Sequence, residues 1–275
     1  KKILKEVEQE CGWMYETWHP NCDDPNRVKG KINYTIWSDV FICPNCGQEM
    51  IFWNVAVDQE AGSFKDDWNC PGCGTLVGKS IKKGSGALKA ERAWETYYDR
   101  ELKLTNRLAK QVPVLINYSV GKKRFDKKLD SFDSSLFHKI SEYDIPFPTP
   151  INKIPKGDKT SDPFNLGITH VHQFYSRRNL LSLSTFIGIV DKTPNNIFCN
   201  ALKWGVTGVT EGGSKMNRER MSGLPSKLSG TLYIGSTVRE TNILTFLERK
   251  LSKLFKNQLR ASFFGPRMIS TQSSS

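Results

Sequence analysis

Two cysteine pairs, Cys43-Pro-Asn-Cys46 and Cys70-Pro-Gly-Cys73, limit the possible folds of this chain more than any other feature. Each pair leaves two residues between its thiols, so a tight turn can bring both sulfurs to one ion. Gly47 and Gly74 follow directly, where backbone amides must turn toward the sulfurs and a side chain would obstruct them. Two such knuckles supply four thiolates, a closed tetrahedral shell for a structural zinc ion with no position left for a substrate. Residues 36–80 are therefore expected to form a zinc ribbon. A redox role would need a Cys-x-x-Cys at a helix start, and these pairs read as hairpins. Cys11 and Cys199 fall among apolar residues and read as core; Cys22, with His19 and Cys11, matches no ligand spacing.

This cysteine usage suits a reducing cytoplasm better than a secreted disulfide framework. The chain opens on Lys-Lys and a charged helical pattern instead of a secretory leader, and no apolar run approaches the ~18 residues of a membrane span. Across 275 residues the formal net charge is +12, a positive field that favours polyanions, nucleic acid above all.

Periodicity predicts helices at 1–16, 91–110, 176–190, 195–207 and 241–257. Strands are expected at 34–43, 51–57, beside the second cysteine pair, from Pro113 through Val120, and over Gly230–Gly235; residues 121–130 read as a basic turn followed by a short extended piece. Residues 145–168 carry five prolines and read as irregular. The Gly-, Ser- and Lys/Arg-rich stretch 210–229 reads as a mobile loop. The fold class is mixed α+β, a recognition domain with an inserted four-cysteine zinc ribbon: 1–35 helix and linker, 36–80 ribbon, 81–275 α/β domain.

Candidate anion contacts are Lys122, Lys123 and Arg124 in the basic turn, Arg177 and Arg178, and Lys215, Asn217, Arg218 and Arg220 in the glycine-rich stretch. Long donors on small-residue loops suit phosphate contacts. His170-x-His172 reads as a hydrogen-bonding pair in preference to metal ligands. Asp162-Pro163-Phe164 superficially matches a methyltransferase motif, but neither a buried strand before it nor a Gly-x-Gly after it is present. No catalytic residue is assigned.

Several longer segments carry a resemblance: KILKEVEQECGWMYET from Lys2, GKINYTIWSDVFICPNCG, ERAWETYYD, KQVPVLINYSVGKKRF, GITHVHQFYSRRNLLSLSTF and KLSGTLYIGSTVRETN. Together they resemble the large site-specific DNA methyltransferases that modify an exocyclic amino nitrogen of adenine or cytosine. The resemblance implies that this is the central, target-recognition part of such an enzyme, with double-stranded DNA and the remainder of the methyltransferase chain as partners. It implies that the Gly-rich S-adenosylmethionine loop and the Asp-Pro-Pro-Tyr/Phe motif lie outside this sequence. The chain alone is then expected neither to bind S-adenosylmethionine nor to methylate. The alternative is a stand-alone zinc-ribbon module of a restriction-modification system, binding single strands or protein; for single strands, Phe52, Trp53 and Trp68 would have to face solvent.

Overall fold

The computed structural model describes residues 2–58, 60–81, 84–194, 197–220, 228 and 230–263. Helix α1 (Lys2–Cys11) and a 3-10 turn (Gly12–Tyr15) lead into β1 (Glu16–His19) and the long β2 (Val28–Ile42). The cysteine-bearing region follows as β3 (Glu49–Ile51), α2 (Phe52–Ala56), β4 (Val57–Asp58), β5 (Ser63–Phe64), β6 (Asp67–Asn69), β7 (Leu76–Gly78) and β8 (Leu88–Lys89). Next come β9 (Glu91–Arg92), β10 (Trp94–Asp99), β11 (Leu104–Ala109), β12 (Gln111–Val120) and β13 (Lys123–Lys127). Helices α3 (Ser131–Glu142), α4 (Ser161–Phe164), α5 (Arg177–Lys192) and α6 (Ile197–Thr210), strand β14 (Thr237–Thr241) and helix α7 (Ile243–Phe263) complete the described chain. The architecture is mixed helix and sheet, as expected.

Strand β2 organises the sheet. Its first residues pair with β1, its middle with β12 and β14, and its last three with β3 and β9, all antiparallel. The expected boundary between residues 35 and 36 falls inside this strand. In β12 the register shifts at Pro113, which has no amide proton to offer a ladder. Ile32, Ile116 and Tyr118 meet α1, α3, α5, α6 and α7 through Val7, Leu136, Leu181, Phe186, Val206 and Leu247 in the main core. Helix α3 is started by a capping box: Asp130 accepts from the Asp133 amide at 3.0 Å, and Asp133 accepts from the Asp130 amide at 3.1 Å.

Four sequence expectations are corrected. Residues 91–110 are strands instead of a helix, since Trp94, Thr96, Tyr97 and Tyr98 are β-formers and Asp99 closes the turn on the Leu102 amide. Most of 51–57 is the short helix α2, and the last strand is Thr237–Thr241 instead of Gly230–Gly235. The described part of the glycine-rich stretch, 211–220, is packed. A Cβ on Gly212 would sit 2.4 Å from Phe246, and one on Gly213 would sit 2.4 Å from Ile243. These glycines allow close approach to α7, not motion. Residues 221–227 lie outside the described residues.

Candidate metal centre and basic surfaces

Each cysteine knuckle is built the same way. The Gly47 amide donates to the Cys43 carbonyl and the Gly74 amide to the Cys70 carbonyl, both at 2.9 Å. Both glycines have positive φ, 76° and 73°, the turn that the sequence pattern anticipates. The Cys43 and Cys70 amides bond to the Gln48 and Thr75 carbonyls, again at 2.9 Å, closing two matched loops.

The loops face one another. Cys43 Sγ lies 3.7 Å from Cys73 Sγ, and Cys46 Sγ lies 3.6 Å from Cys70 Sγ. All four sulfurs fall within 4.8 Å of one another. A tetrahedron with metal–sulfur bonds of ~2.3 Å has edges of about 3.8 Å, so the four cysteines could hold a metal ion. Hydrogen bonds with Thr75 and Asn45 pull the Cys73 thiol down to about 5. A backbone hydrogen bond at Gln48 lowers Cys46 too, but the neighbouring sulfurs, Cys73 first, push it up to about 12. Sulfurs this close cannot all be thiolates without a cation among them. Asn45 donates to Thr75 Oγ1 at 3.0 Å and so ties one knuckle to the other.

A small core lies beneath the cysteines: Phe41, Met50, Phe52, Trp68 and Val77, with the Phe52 and Trp68 rings edge-on at 5.4 Å. Phe52 and Trp68 are buried, and Trp53 is half-buried. The stacking surface that a single-strand binder would need is therefore not present in these three rings. Cys11 and Cys199 are core residues as expected, while Cys22 hydrogen-bonds with Ser131.

The basic candidates divide. Lys122, Lys123 and Arg124 are exposed at the β12–β13 turn, and none makes a side-chain ion pair among the described residues. Arg220 is exposed as well. Arg218 is half-buried over the Tyr233 ring, 5.4 Å from its centroid. The others are corrections. Arg178 is 1% exposed and chelates Glu240, and Arg177 pairs with Glu101 and Asp144. Asn217 is buried, donating to the Arg239 carbonyl at 2.9 Å. None of these three presents its polar group to an outside phosphate. Lys215 is held by its amide to the Phe174 carbonyl and lines a cleft beside β10.

His172 is turned toward strand β10. Its Nε2 lies 2.9 Å from Asp99 Oδ2. Asp99 also accepts from Gln173, Tyr97, Asn106 and the Leu102 amide. Asp99, Glu101 and His172 stand close together. Asp99 accepts from five groups and Glu101 Oε1 is engaged by Arg177, so this cluster is tied into the surrounding hydrogen-bond network. Sequence reasoning misses this network by making 91–110 helical; the run Trp94-Glu95-Thr96-Tyr97-Tyr98 carries the strand signal.

Burial opposes ionisation of Asp99, yet hydrogen bonds from His172, Leu102 and Gln173 hold its carboxyl well below the usual range. A folded value below the unfolded ~4 stabilises the fold above about pH 4 and is lost as pH falls further. Urea midpoints of the parent should thus fall steeply below about pH 4. Asp99→Asn should be less stable near neutrality and should show a shallower acid limb. Parallel pH profiles would refute the assignment.

No protein-family profile, curated protein or solved structure matches this chain.

Proposed function

We propose that this chain binds duplex DNA as the target-recognition part of a site-specific methyltransferase acting on an exocyclic base nitrogen, and that its four cysteines hold zinc. The observation that carries the reading is the β12–β13 turn. Lys122, Lys123 and Arg124 stand exposed there without acidic partners among the described residues, on a chain of net charge +12. Cations without partners on a two-stranded projection suit backbone phosphates, which position a protein on the duplex. The family resemblance supplies the enzyme class, with S-adenosylmethionine bound elsewhere. Zinc fits the donor set, four sulfurs at tetrahedral spacing with no oxygen or nitrogen ligand. A cytoplasmic setting agrees with thiols kept for metal.

Replacing Lys122, Lys123 and Arg124 with alanine should weaken duplex binding and flatten its salt dependence, by roughly 0.9 in log–log slope per lost phosphate contact. Filter binding at several salt concentrations measures both. An unchanged slope in the triple variant would remove this surface from the reading.

A further inference from the structure

A cleft of about 530 Å³ lies between the β10–β11 hairpin and the facing ends of α3 and α5. This is within the ~300–1,000 Å³ range of small-ligand sites. Trp37, Tyr97, Tyr98, Phe137 and Tyr175 contribute aromatic surface to its walls. Tyr98, 58% exposed, stands at the rim.

Most charged groups here satisfy one another: Arg178 with Glu240, Arg177 with Glu101, His172 with Asp99. Other polar functions do not, among them groups on Lys215, Glu95 and His172. The side chains of Lys215 and Glu95 make no hydrogen bond or ion pair among the described residues, though each lies within the other's field. Lys215 is half-buried, and Glu95 opens onto solvent at the mouth of the cleft. The surrounding walls nonetheless push the Lys215 ammonium down and the Glu95 carboxyl up from their usual values. His172 is 4% exposed, and its Nδ1 is buried without a partner. Withdrawn from water, His172 Nδ1 and in part the Lys215 ammonium are costly unless something pairs with them.

We propose that this cleft receives a single unpaired nucleobase, stacked against the aromatic walls, with Lys215 donating to its edge and Glu95 accepting from it. The occupant is chosen by chemistry. It must be flat with apolar faces, and it must carry an acceptor for Lys215 and a donor for Glu95 on its rim. Each nucleobase has that combination, whereas a phosphate alone would leave Glu95 unsatisfied and an aliphatic ligand would satisfy neither group. Strand β10 is suited to this, since Glu95, Tyr97 and Asp99 alternate onto one face. The far end of the hairpin is fastened: Arg100 Nε lies 3.1 Å from Asp144, and Arg177 bridges Glu101 and Asp144. The inference rests on the DNA-binding reading and adds a place for a base outside the stack.

The test uses the full chain and two duplexes of otherwise equal sequence, one fully paired and one with a single-nucleotide bulge, whose base is already unpaired. The bulged duplex should bind at least tenfold more tightly. With 2-aminopurine as the bulged nucleotide, its fluorescence should be quenched on binding as the base stacks. Lys215→Met and Glu95→Leu should each abolish the preference while leaving affinity for paired duplex within twofold; Tyr98→Ala, at the exposed rim, gives a third variant if either of these melts early. Equal affinity for both duplexes, or a preference that survives all three substitutions, would overturn the base site and leave DNA binding intact. Failure to bind any duplex would overturn both.

Discussion

Cys43→Ser or Cys73→Ser will unfold the ribbon beyond the end of β2, residues 43–80, and the parent protein is expected to contain about one zinc per chain. Each serine removes one thiolate from a set whose sulfurs are already at metal-binding spacing. Metal binding supplies folding free energy on the order of 10 kcal/mol in small zinc modules. The core beneath the cysteines is too slight to replace that contribution: it is essentially Phe41, Met50, Phe52, Trp68 and Val77. Its tryptophan gives a direct readout. Trp68 is 3% exposed, so chelation or either substitution should shift its fluorescence to that of a hydrated indole. Elemental analysis without zinc, or a Cys73→Ser variant with unchanged emission and melting, would refute the assignment.

Arg178→Ala should cost about 3–5 kcal/mol, the range for breaking one side of a buried ion pair. Arg178 Nε lies 2.8 Å from Glu240 Oε1, and Nη2 lies 2.5 Å from both Glu240 Oε2 and Thr35 Oγ1. Nη1 reaches the Met14 carbonyl at 3.3 Å. One guanidinium thus joins α5 to β14, β2 and the turn after α1. Truncation leaves the Glu240 carboxylate enclosed, with Trp37 Nε1 at 2.7 Å as its remaining donor among the described residues. Arg178→Met with Glu240→Leu should be less damaging than Arg178→Ala alone, because no charge is then stranded. Urea unfolding of the three proteins decides it. A loss below about 1 kcal/mol in Arg178→Ala would show that the pair is not structural.

The cysteine cluster was legible because its information is local: two turns, each specified by a few consecutive residues, with glycine where φ is positive. Arg177-Arg178 was not. Neighbours on a helix point about 100° apart, so one arginine enters the core while the other holds the hairpin. Nothing in the dipeptide reveals Glu240, 62 residues further on, as its partner. Strand β10 failed for a related reason. One face of it, Glu95, Tyr97 and Asp99, is polar because Glu95 and Tyr97 line a cleft and Asp99 bonds to His172, so the apolar alternation that marks a half-buried strand is missing. The glycines at 212 and 213 misled because composition alone does not distinguish a residue chosen for freedom from one chosen for its small size.

Strand β2 has fifteen residues and would span about 50 Å if fully extended. It begins in the main sheet and ends as a ribbon strand, its last paired residues, Phe41 and Ile42, leading directly into Cys43. The cysteine module is therefore not a cassette on a tether. Excising residues 36–80 would cut the central strand through its pairing with β12 and β14 and destroy the sheet it was meant to spare. Grafting the ribbon elsewhere would require its host to supply a matching strand. Because β2 runs unbroken from one into the other, the body carries the cysteine knuckles like a beam cast in one piece with its bracket.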